Sequence, residues 1–357
     1  MDNLARLKNL EQNQLLQESD LEVLLDTFTE DDLKYAMNRA RKVREGIFGK
    51  DVFIRGLIEL TSYCVCDCLY CGIRRENKNA ERYRLSKEEV LSCCGTGYEL
   101  GFRTFVIQGG EDPFYTDNVM CDIVSTLRST YPDCAITLSL GERSKESYQK
   151  LYEAGADRYL LRHETADENH YGKLHPKGEH LHVRMRHLRD LKEVGYQVGT
   201  GFMVGSPYQN SSTLVKDLLF LKELNPEMVG IGPFVPHHES IFKDFEHGSL
   251  ELTLMLLSII RLMLPDALIP STTSLGTIHP KGRELGIQAG ANVVMPNLSP
   301  TDVRKKYLLY DNKAFTGCEA AESLTLLEKS MDSIGYQVVV HRGDSRRAKI
   351  RKKTINK

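Results

Sequence analysis

From residue 52 onward, eight short apolar runs alternate with amphipathic stretches long enough for helices, and this alternation constrains the fold more than any other feature. A strand, a helix and a second strand in succession form a right-handed crossover between parallel strands. Eight such units in about 245 residues match a closed (βα)8 barrel of the TIM type, which is the α/β fold we predict. Strand number alone does not show closure, so an open doubly wound sheet is the alternative. The predicted strands are 52–60, 104–108, 135–140, 158–162, 197–205, 228–232, 267–272 and 291–295.

The segments around these runs have helical spacing. Residues 1–50 place apolar side chains three and four positions apart, and Gly49 is a plausible stop. Ser86 and Ser212 precede two of the later amphipathic stretches and are candidate N-caps. The predicted organisation is an N-terminal helical extension over 1–50, a barrel over 51–310, and a C-terminal helix, short strand and basic tail over 311–357 packed on the same domain.

The charge balance excludes some classes of partner. The 357 residues include 47 Lys plus Arg and 49 Asp plus Glu, a net charge of −2, which argues against a nucleic-acid partner. The first residues lack the apolar core of a signal peptide, and we expect a cytoplasmic protein without a membrane partner. Residues 341–357 contain eight Lys or Arg and one Asp, and are interpreted as a solvated tail.

The cysteines are clustered rather than spread. Four of the nine lie within eight residues, which suits reduced, metal-binding thiols better than a disulfide framework. Cys64, Cys68 and Cys71 form Cys-x3-Cys-x2-Cys, and three thiolates on one loop can hold three irons of a [4Fe–4S] cluster while the fourth iron stays open. Cys66 is interpreted as a spare whose side chain faces away. A four-cysteine zinc site is the alternative, but structural zinc usually takes two separated pairs.

Unusual residues recur where the predicted strands end, which is where barrels of this type carry their chemistry. The cysteine loop follows the first strand, and a Gly-Gly-Glu-Asp-Pro segment follows the second. Further polar or unusual residues close or follow the later strands: Ser139, Arg162, His163, Glu164, Thr165, Met203, Pro233, His237, Thr272 and Thr273.

The Cys-x3-Cys-x2-Cys loop, with Tyr70 directly before its last cysteine, resembles the radical S-adenosylmethionine (SAM) superfamily. More narrowly, the chain between about residues 50 and 310 resembles the HydE family of [FeFe]-hydrogenase maturases. The stretches that carry this likeness are CLYCGIRRENKNAERYRLS, QGGEDPFY, TLSLGE, GADRYLLRHETA, MVGIGPFVPH, STTSLGTIHPKGRE and GANVVMPNLSP.

The resemblance implies one [4Fe–4S] cluster, SAM bound at its open iron, and an external electron donor. An electron from the reduced cluster would cleave SAM to methionine and a 5′-deoxyadenosyl radical. On this reading Tyr70 borders the adenine, Gly109, Gly110 and Glu111 hold the methionine ammonium, and Arg184 pairs with the SAM carboxylate. The other implied cofactor contacts are Ser139 and Glu164, with Thr137, Arg162, Met203, Ile231 and Tyr310 in second rank.

A carbon radical requires a dry, enclosed cavity with its target in place. Four residues at strand ends are predicted to reach this interior and contact substrate: Gln108, Thr272, Thr273 and Met295. In the HydE family the radical is thought to attack the sulfur of a cysteine-bound iron carbonyl cyanide precursor, on the route to the dithiolate-bridged di-iron subcluster of the hydrogenase. Companion maturases would supply that organometallic precursor and receive the product.

Some relatives carry additional cysteines for an accessory cluster, but this chain offers only Cys318 in the corresponding region. We therefore predict no accessory second cluster and about four irons per chain.

Three other interpretations compete with this one. The barrel and the cysteine loop also resemble those of biotin synthase and of methylornithine synthase, which act on different substrates. A non-catalytic iron–sulfur or zinc scaffold that delivers metal to a partner would need no SAM cleavage.

Overall fold

A computed structural model of the protein describes residues 1–314 and 320–348. Its strands are β1 (Asp51–Ile54), β2 (Gly56–Thr61), β3 (Thr104–Gly109), β4 (Ala135–Ser139), β5 (Arg158–Leu160), β6 (Gln197–Thr200), β7 (Met203–Val204), β8 (Met228–Val229), β9 (Gly232–Pro233), β10 (Val293–Val294) and β11 (Gln337–Val339). The helices are α1 (Asn3–Asn13), α2 (Glu18–Thr27), α3 (Glu30–Phe48), α4 (Lys87–Glu99), α5 (Asp117–Thr130), α6 (Lys145–Ala154), α7 (Glu168–Leu174), α8 (Leu181–Val194), α9 (Ser211–Leu224), α10 (Leu250–Met263), α11 (Thr273–Ile278), α12 (Gly282–Gln288), α13 (Thr301–Arg304) and α14 (Ala320–Ser333).

The strands form a closed parallel barrel. Six of them pair in the order β2-β3-β4-β5-β6-β8. The pairing continues through single bridges from Met228 to Leu268 and from Pro270 to Val293. β10 then pairs with β1 at Val293 and Phe53, and β1 is separated from β2 by Arg55 alone. The predicted TIM-type barrel is confirmed.

Several predicted strands are interrupted. The run over 52–60 divides at Arg55, so that β1 pairs with β10 and β11 while β2 pairs with β3. The run over 267–272 makes only isolated bridges, in keeping with Pro270, which has no N–H to donate to a ladder. The run over 197–205 divides before β7, where a Cβ on Gly201 would lie 1.9 Å from the carbonyl oxygen of Gly230. Close approach of two backbones at this point requires glycine.

The helix boundaries follow local capping chemistry. Ser86 caps α4 as predicted, in a capping box with Glu89. Gly49 ends α3 with a φ of 60°, as the sequence indicated. The predicted cap at Ser212 is wrong, because Asn210 accepts from the Thr213 N–H at 2.9 Å and thereby starts α9 two residues earlier. Asparagine is as strong an N-cap as serine.

The amino-terminal ends of the strands are covered by the end of the chain. Asp344 forms an ion pair with Arg158 of β5 at 2.7 Å and accepts from Gln197 of β6 at 2.9 Å. Ser345 is buried. The expectation of a solvated tail is therefore wrong for residues 341–348, since ion pairs at the strand starts hold this segment in place; residues 349–357 lie outside the described part of the chain.

The N-terminal helices pack on the outside of the barrel. α3 lies against α10, nearly all of whose residues are buried, and α2 lies against α9. In residues 1–314 and 320–348, none of the helices has both the length and the apolar character needed to cross a membrane. With the opposite end covered, the carboxyl ends of the strands are the place for a site.

Candidate active site

The cysteine loop follows β2 and is fixed by backbone hydrogen bonds to three other parts of the chain. The N–H of Val65 donates to Glu111 at 2.9 Å, that of Leu69 to Leu174 at 2.9 Å, and that of Gly72 to Leu309 at 2.9 Å. The loop therefore lies between the segment after β3, the end of α7 and the chain that follows α13.

Two glycines permit this close packing. A Cβ on Gly110 would lie 2.2 Å from the carbonyl oxygen of Tyr63, and one on Gly72 would lie 2.2 Å from that of Leu308. Any larger residue at either position would push the cysteine loop away from its neighbours.

The three predicted ligand thiols are close enough for the charge of one to affect the pKa of another. Burial raises the pKa of Cys68 well above its usual range, and the negative forms of Cys71 and Cys64 raise it further. Burial also raises the pKa of Cys71 to about 12. Without a cation Cys68 and Cys71 hold their protons, and bound iron would supply the missing positive charge. Such a donor set fits a metal cluster.

Cys66 does not face away as predicted. Its thiol hydrogen-bonds to the sulfur of Cys64, and this contact, together with N–H groups of Cys66 and Glu111, lowers the pKa of Cys64 to about 7. The same contact raises the pKa of Cys66. The turn between the two residues brings their side chains together, because Val65 is bonded to Glu111 and points outward. Cys66 is therefore a neighbour of one ligand.

A cavity of about 330 Å³ opens beside the cysteine loop at the carboxyl ends of the strands. It gathers side chains from strand ends, loops and helices spread over more than two hundred residues of sequence. The predicted site residues on its wall are Tyr70, Cys71, Gln108, Gly109, Ser139, Arg162, Glu164, Arg184, Met203, Thr272, Thr273 and Tyr310.

Part of the cavity wall is apolar. Met203 and Phe234 belong to a cluster against which Tyr70 packs, and the Tyr70 ring meets His175 edge to face with 5.6 Å between ring centroids. Flat aromatic and thioether surfaces of this kind suit a planar heterocycle such as adenine.

Arg184 projects from α8 into the cavity and is buried rather than on a water-facing helix surface. Its Nε lies 2.7 Å from Oε1 of Glu142, and Nη1 donates to the carbonyl of Arg162 at 3.4 Å. Glu142 in turn donates its backbone N–H to the carboxylate of Glu111 at 2.9 Å. The ion pair and the bond to the Arg162 carbonyl hold the guanidinium at the cavity wall.

Glu164 has an unusual backbone. Its φ of 65° lies in the left-handed region, which costs a residue with a side chain about 1 kcal/mol or more. Its carboxylate lies 3.1 Å from Nη2 of Arg162, but those two atoms are not aligned for a hydrogen bond. Both groups therefore keep hydrogen-bonding capacity toward the cavity.

The turn that carries Glu164 rests on buried polar groups. Nδ1 of His163 lies 2.9 Å from the Thr200 hydroxyl, and Nε2 lies 3.5 Å from Asp217. Asp217 also accepts from the N–H of Ala166. Burial lowers the pKa of His163 to about 3, so this imidazole is neutral near pH 7.

Another part of the cavity wall is polar. The Gln108 amide donates to the Tyr307 hydroxyl at 3.3 Å. The hydroxyls of Thr272 and Ser274 lie 3.1 Å apart, and Thr272 makes no side-chain cap to α11. These hydroxyl and amide groups suit a compact polar ligand.

Other predicted residues lie off this wall. Cys64, Cys68, Gly110 and Glu111 form the cysteine loop and its support. Thr137 lines a separate small cavity with Arg55 and Arg158, because it stands two residues before Ser139 on β4.

Ile231 is fully buried between β8 and β9. Met295 packs against the apolar cluster of Phe53, Leu160 and Met228. Their placement does not support cofactor or substrate contact for Thr137, Ile231 or Met295.

Sequence reasoning missed several wall residues: Gly141, Leu160, Leu161, Phe234, Val235, Ser274, Tyr307 and Leu309. It also missed Glu59 and Lys313, which pair beside the cavity. Glu59 had a usable signal, since it is a carboxylate inside an otherwise apolar strand. Tyr307 and Lys313 had none, because their segment contains no strand or helix pattern of its own.

Comparison with known proteins agrees with this geometry. Residues 58–221 match the radical SAM superfamily. The [FeFe] hydrogenase maturase subunit HydE of Thermotoga maritima is 47% identical over 77% of this chain and 78% of that protein. A 3-methylornithine synthase of Methanosarcina acetivorans is 32% identical over 80% of this chain and 81% of that protein.

Similarity of structure extends over almost the whole chain. The crystal structure of methylornithine synthase covers 94% of this chain and 97% of that one with a TM-score of 0.82 and 27% identity. The maturase HydG covers 95% of this chain and 75% of that one with a TM-score of 0.78, and at 24% identity it shows the fold alone.

A closed parallel barrel with a three-cysteine loop beside its carboxyl-end cavity is the architecture of a radical SAM enzyme. Within that class, the chain belongs to the HydE family of [FeFe]-hydrogenase maturases. Membership implies a [4Fe–4S] cluster and SAM, and the converging thiols and adjoining cavity fit both.

Proposed function

We propose that this protein is a cytoplasmic radical SAM enzyme that acts in assembly of the [FeFe]-hydrogenase active site. The observation that carries the proposal is that Cys71 and Tyr70 of the cysteine loop line the same cavity as Gln108 and Thr272. A cofactor at the cysteine loop and a substrate deeper in the barrel would then share one enclosed space.

The cluster and SAM, when bound, supply a 5′-deoxyadenosyl radical after one-electron reduction from an external donor. Cys64, Cys68 and Cys71 would hold three irons. Arg184, oriented by Glu142 at 2.7 Å, would receive the SAM carboxylate. Further cofactor contacts would come from the Tyr70 ring, Ser139, Glu164, Arg162, Met203 and Tyr310.

The substrate end is proposed to take a small sulfur-containing organometallic molecule, an iron–cysteine precursor. Gln108, Thr272 and Thr273 would bind its polar groups, and Tyr307 would hold the Gln108 amide in place. The partners are proposed to be companion maturases that deliver this precursor and accept the product. The similar protein of Thermotoga maritima is named as a subunit of a maturase, which supports a role with other maturases.

We also propose one cluster per chain. Cys318, the single cysteine in the region where some relatives hold a second cluster, lies outside the described residues. Anaerobic reconstitution should give about four irons per chain. Seven or eight irons per chain, together with the absorption spectrum of thiolate-bound iron, would contradict this.

The test of the function has two parts. Reduced, reconstituted enzyme should convert SAM to 5′-deoxyadenosine, and Cys68→Ala should abolish this. A cell lacking the gene should lose [FeFe]-hydrogenase activity, and the wild-type gene should restore it whereas the Cys68→Ala gene should not. Iron binding without SAM cleavage would favour a metal scaffold.

A second candidate is methylornithine synthesis, favoured by the TM-score of 0.82 over nearly the whole chain. Lysine as substrate would require groups for an amino-acid carboxylate and a distant ammonium. Incubation of enzyme, reductant and SAM with lysine should give no rearranged isomer if the maturase proposal is right. Formation of 3-methylornithine would overturn it.

A further inference from the structure

Arg82 binds the backbone of the cysteine loop at four points. Nη1 donates to the carbonyl of Ser62 and to that of Ile73 at 2.8 Å. Nη2 donates to the carbonyls of Arg74 at 2.8 Å and Asn77 at 3.0 Å. One half-buried guanidinium therefore satisfies four carbonyl oxygens.

These carbonyls flank the three cysteines on both sides. Ser62 lies two residues before Cys64, and Ile73 lies two residues after Cys71. The chain returns to the same place, because the N–H of Ser62 donates to the Tyr83 carbonyl at 3.2 Å and the Tyr83 N–H donates to the Ser62 hydroxyl at 3.0 Å. Arg82 thus closes the base of the loop that presents the thiols.

The charge of Arg82 is not cancelled by a carboxylate. Within the described residues no Asp or Glu oxygen lies within 4.0 Å of its guanidinium. Its neighbours differ in this respect: Arg74 pairs with Asp67 at 3.0 Å, and Arg84 pairs with Asp112 at 2.7 Å. Carbonyl dipoles orient the Arg82 cation but leave its net charge in place.

That charge lies next to the ligand loop. Arg82 donates to the carbonyl of Ile73 at 2.8 Å, and Ile73 stands two residues after Cys71. Three thiolates and a cubane form an anionic group, and one-electron reduction adds another negative charge to it. A nearby uncompensated cation stabilises the more negative state more strongly.

We propose that Arg82 is a positioning residue that holds the cysteine loop in its ligating shape and whose uncancelled charge makes the bound cluster easier to reduce. The proposal rests on the proposed function only in placing a cluster on Cys64, Cys68 and Cys71. It assigns two separable roles to one side chain: hydrogen bonding to the four carbonyls, and charge.

Three variants separate these roles. Arg82→Gln removes both the charge and most of the carbonyl bonds. Arg82→Lys keeps the charge but cannot bridge four carbonyls with a planar fork. Arg75→Gln is the matched control, since Arg75 lies in the same segment, is solvent-exposed and has Glu76, at 3.1 Å, as its one ion-pair partner among the described residues.

The readouts are the midpoint potential of the reconstituted cluster, from a redox titration followed by electron resonance, and amide hydrogen exchange of residues 63–72. We expect Arg82→Gln to lower the equilibrium constant for reduction about tenfold, which is about 59 mV for one electron. Arg82→Lys should keep a potential near that of the wild type but exchange its loop amides faster. Arg75→Gln should change neither quantity appreciably.

An Arg82→Gln potential equal to that of the wild type, or shifts of equal size in Arg82→Gln and Arg75→Gln, would overturn the charge role. If Arg82→Gln holds no iron, exchange in the iron-free proteins still decides the loop role: equal rates in Arg82→Gln, Arg82→Lys and Arg75→Gln would overturn it. A wild-type protein that binds a cluster but does not cleave SAM would contradict the proposed function and leave these comparisons valid.

Discussion

The carboxylate of Glu59 and the ammonium of Lys313 form a buried ion pair across 254 positions of sequence. Glu59 also accepts from the Asn297 amide at 2.9 Å, and Lys313 donates to the Tyr307 carbonyl at 3.1 Å. The pair therefore fastens the chain after α13 to the barrel wall. This segment brings Tyr307 and Tyr310 to the cavity.

Breaking this pair should destabilise the protein strongly. Lys313→Met leaves the Glu59 carboxylate buried without its cation, which typically costs about 3–5 kcal/mol. Chemical denaturation of the apoprotein should show this loss of unfolding free energy. The double variant Glu59→Gln/Lys313→Met should recover a large part of it. Additive losses in the double variant would mean that the two side chains do not interact.

Of the four cysteines in the loop, three should be required for the cluster and Cys66 should not. Cys64→Ser, Cys68→Ser and Cys71→Ser should each abolish the cubane spectrum, whereas Cys66→Ser should keep about four irons per chain. Cys66 contacts Cys64 by a hydrogen bond that bound iron would replace. Iron content and visible absorption after anaerobic reconstitution give the answer. Equal iron loss in all four variants would contradict the ligand assignment.

Substitutions of Arg184 and Glu142 should weaken cofactor binding to different degrees. Arg184→Met should weaken SAM binding about tenfold or more, since a charge-assisted bond contributes about 1.5–3 kcal/mol. Glu142→Gln should weaken it less, because the bond from Arg184 to the Arg162 carbonyl at 3.4 Å still holds the guanidinium at the cavity wall. Calorimetric titration of SAM into the reconstituted enzyme measures both. Unchanged SAM binding in Arg184→Met would place the SAM carboxylate elsewhere.

Stability should fall as the pH falls below neutral. The unfolded chain protonates His163 near pH 6.5, but burial lowers the pKa of the native His163 to about 3. Between these values the unfolded state holds the additional proton, so the free energy of unfolding drops by up to about 1.4 kcal/mol per pH unit from this group.

Denaturation midpoints between pH 7 and pH 4 test this linkage. His163→Gln should show a shallower pH dependence than the wild type. His182→Gln, which changes an exposed histidine, should keep the wild-type slope. Identical slopes for wild type and His163→Gln would show that the buried imidazole is not the cause.

The barrel and the position of the site could be predicted because both depend on local patterns. Apolar runs separated by helices specify parallel strands, and the carboxyl ends of those strands meet at one rim. The motif residues Tyr70, Glu164 and Arg184 therefore come to one cavity, although α8 carries Arg184 on a face that periodicity alone leaves ambiguous.

Long-range contacts could not be predicted in this way. No local signal indicates that Lys313 meets Glu59, or that Asp344 meets Arg158 at the other end of the barrel. Thr137 and Ser139 stand two positions apart on β4 but line different cavities, and the sequence does not show where one cavity ends and the other begins. The contact of Cys66 with Cys64 could not be predicted either, because the position of Val65 between them depends on its bond to Glu111, forty-six residues later in the chain.

The most direct test of the central claim is the electron resonance spectrum of the anaerobically reconstituted, dithionite-reduced protein before and after addition of SAM. A cubane held by Cys64, Cys68 and Cys71 with one open iron predicts a reduced [4Fe–4S] signal whose g values shift when SAM binds. A missing cubane signal, or one that SAM leaves unchanged, would contradict the account.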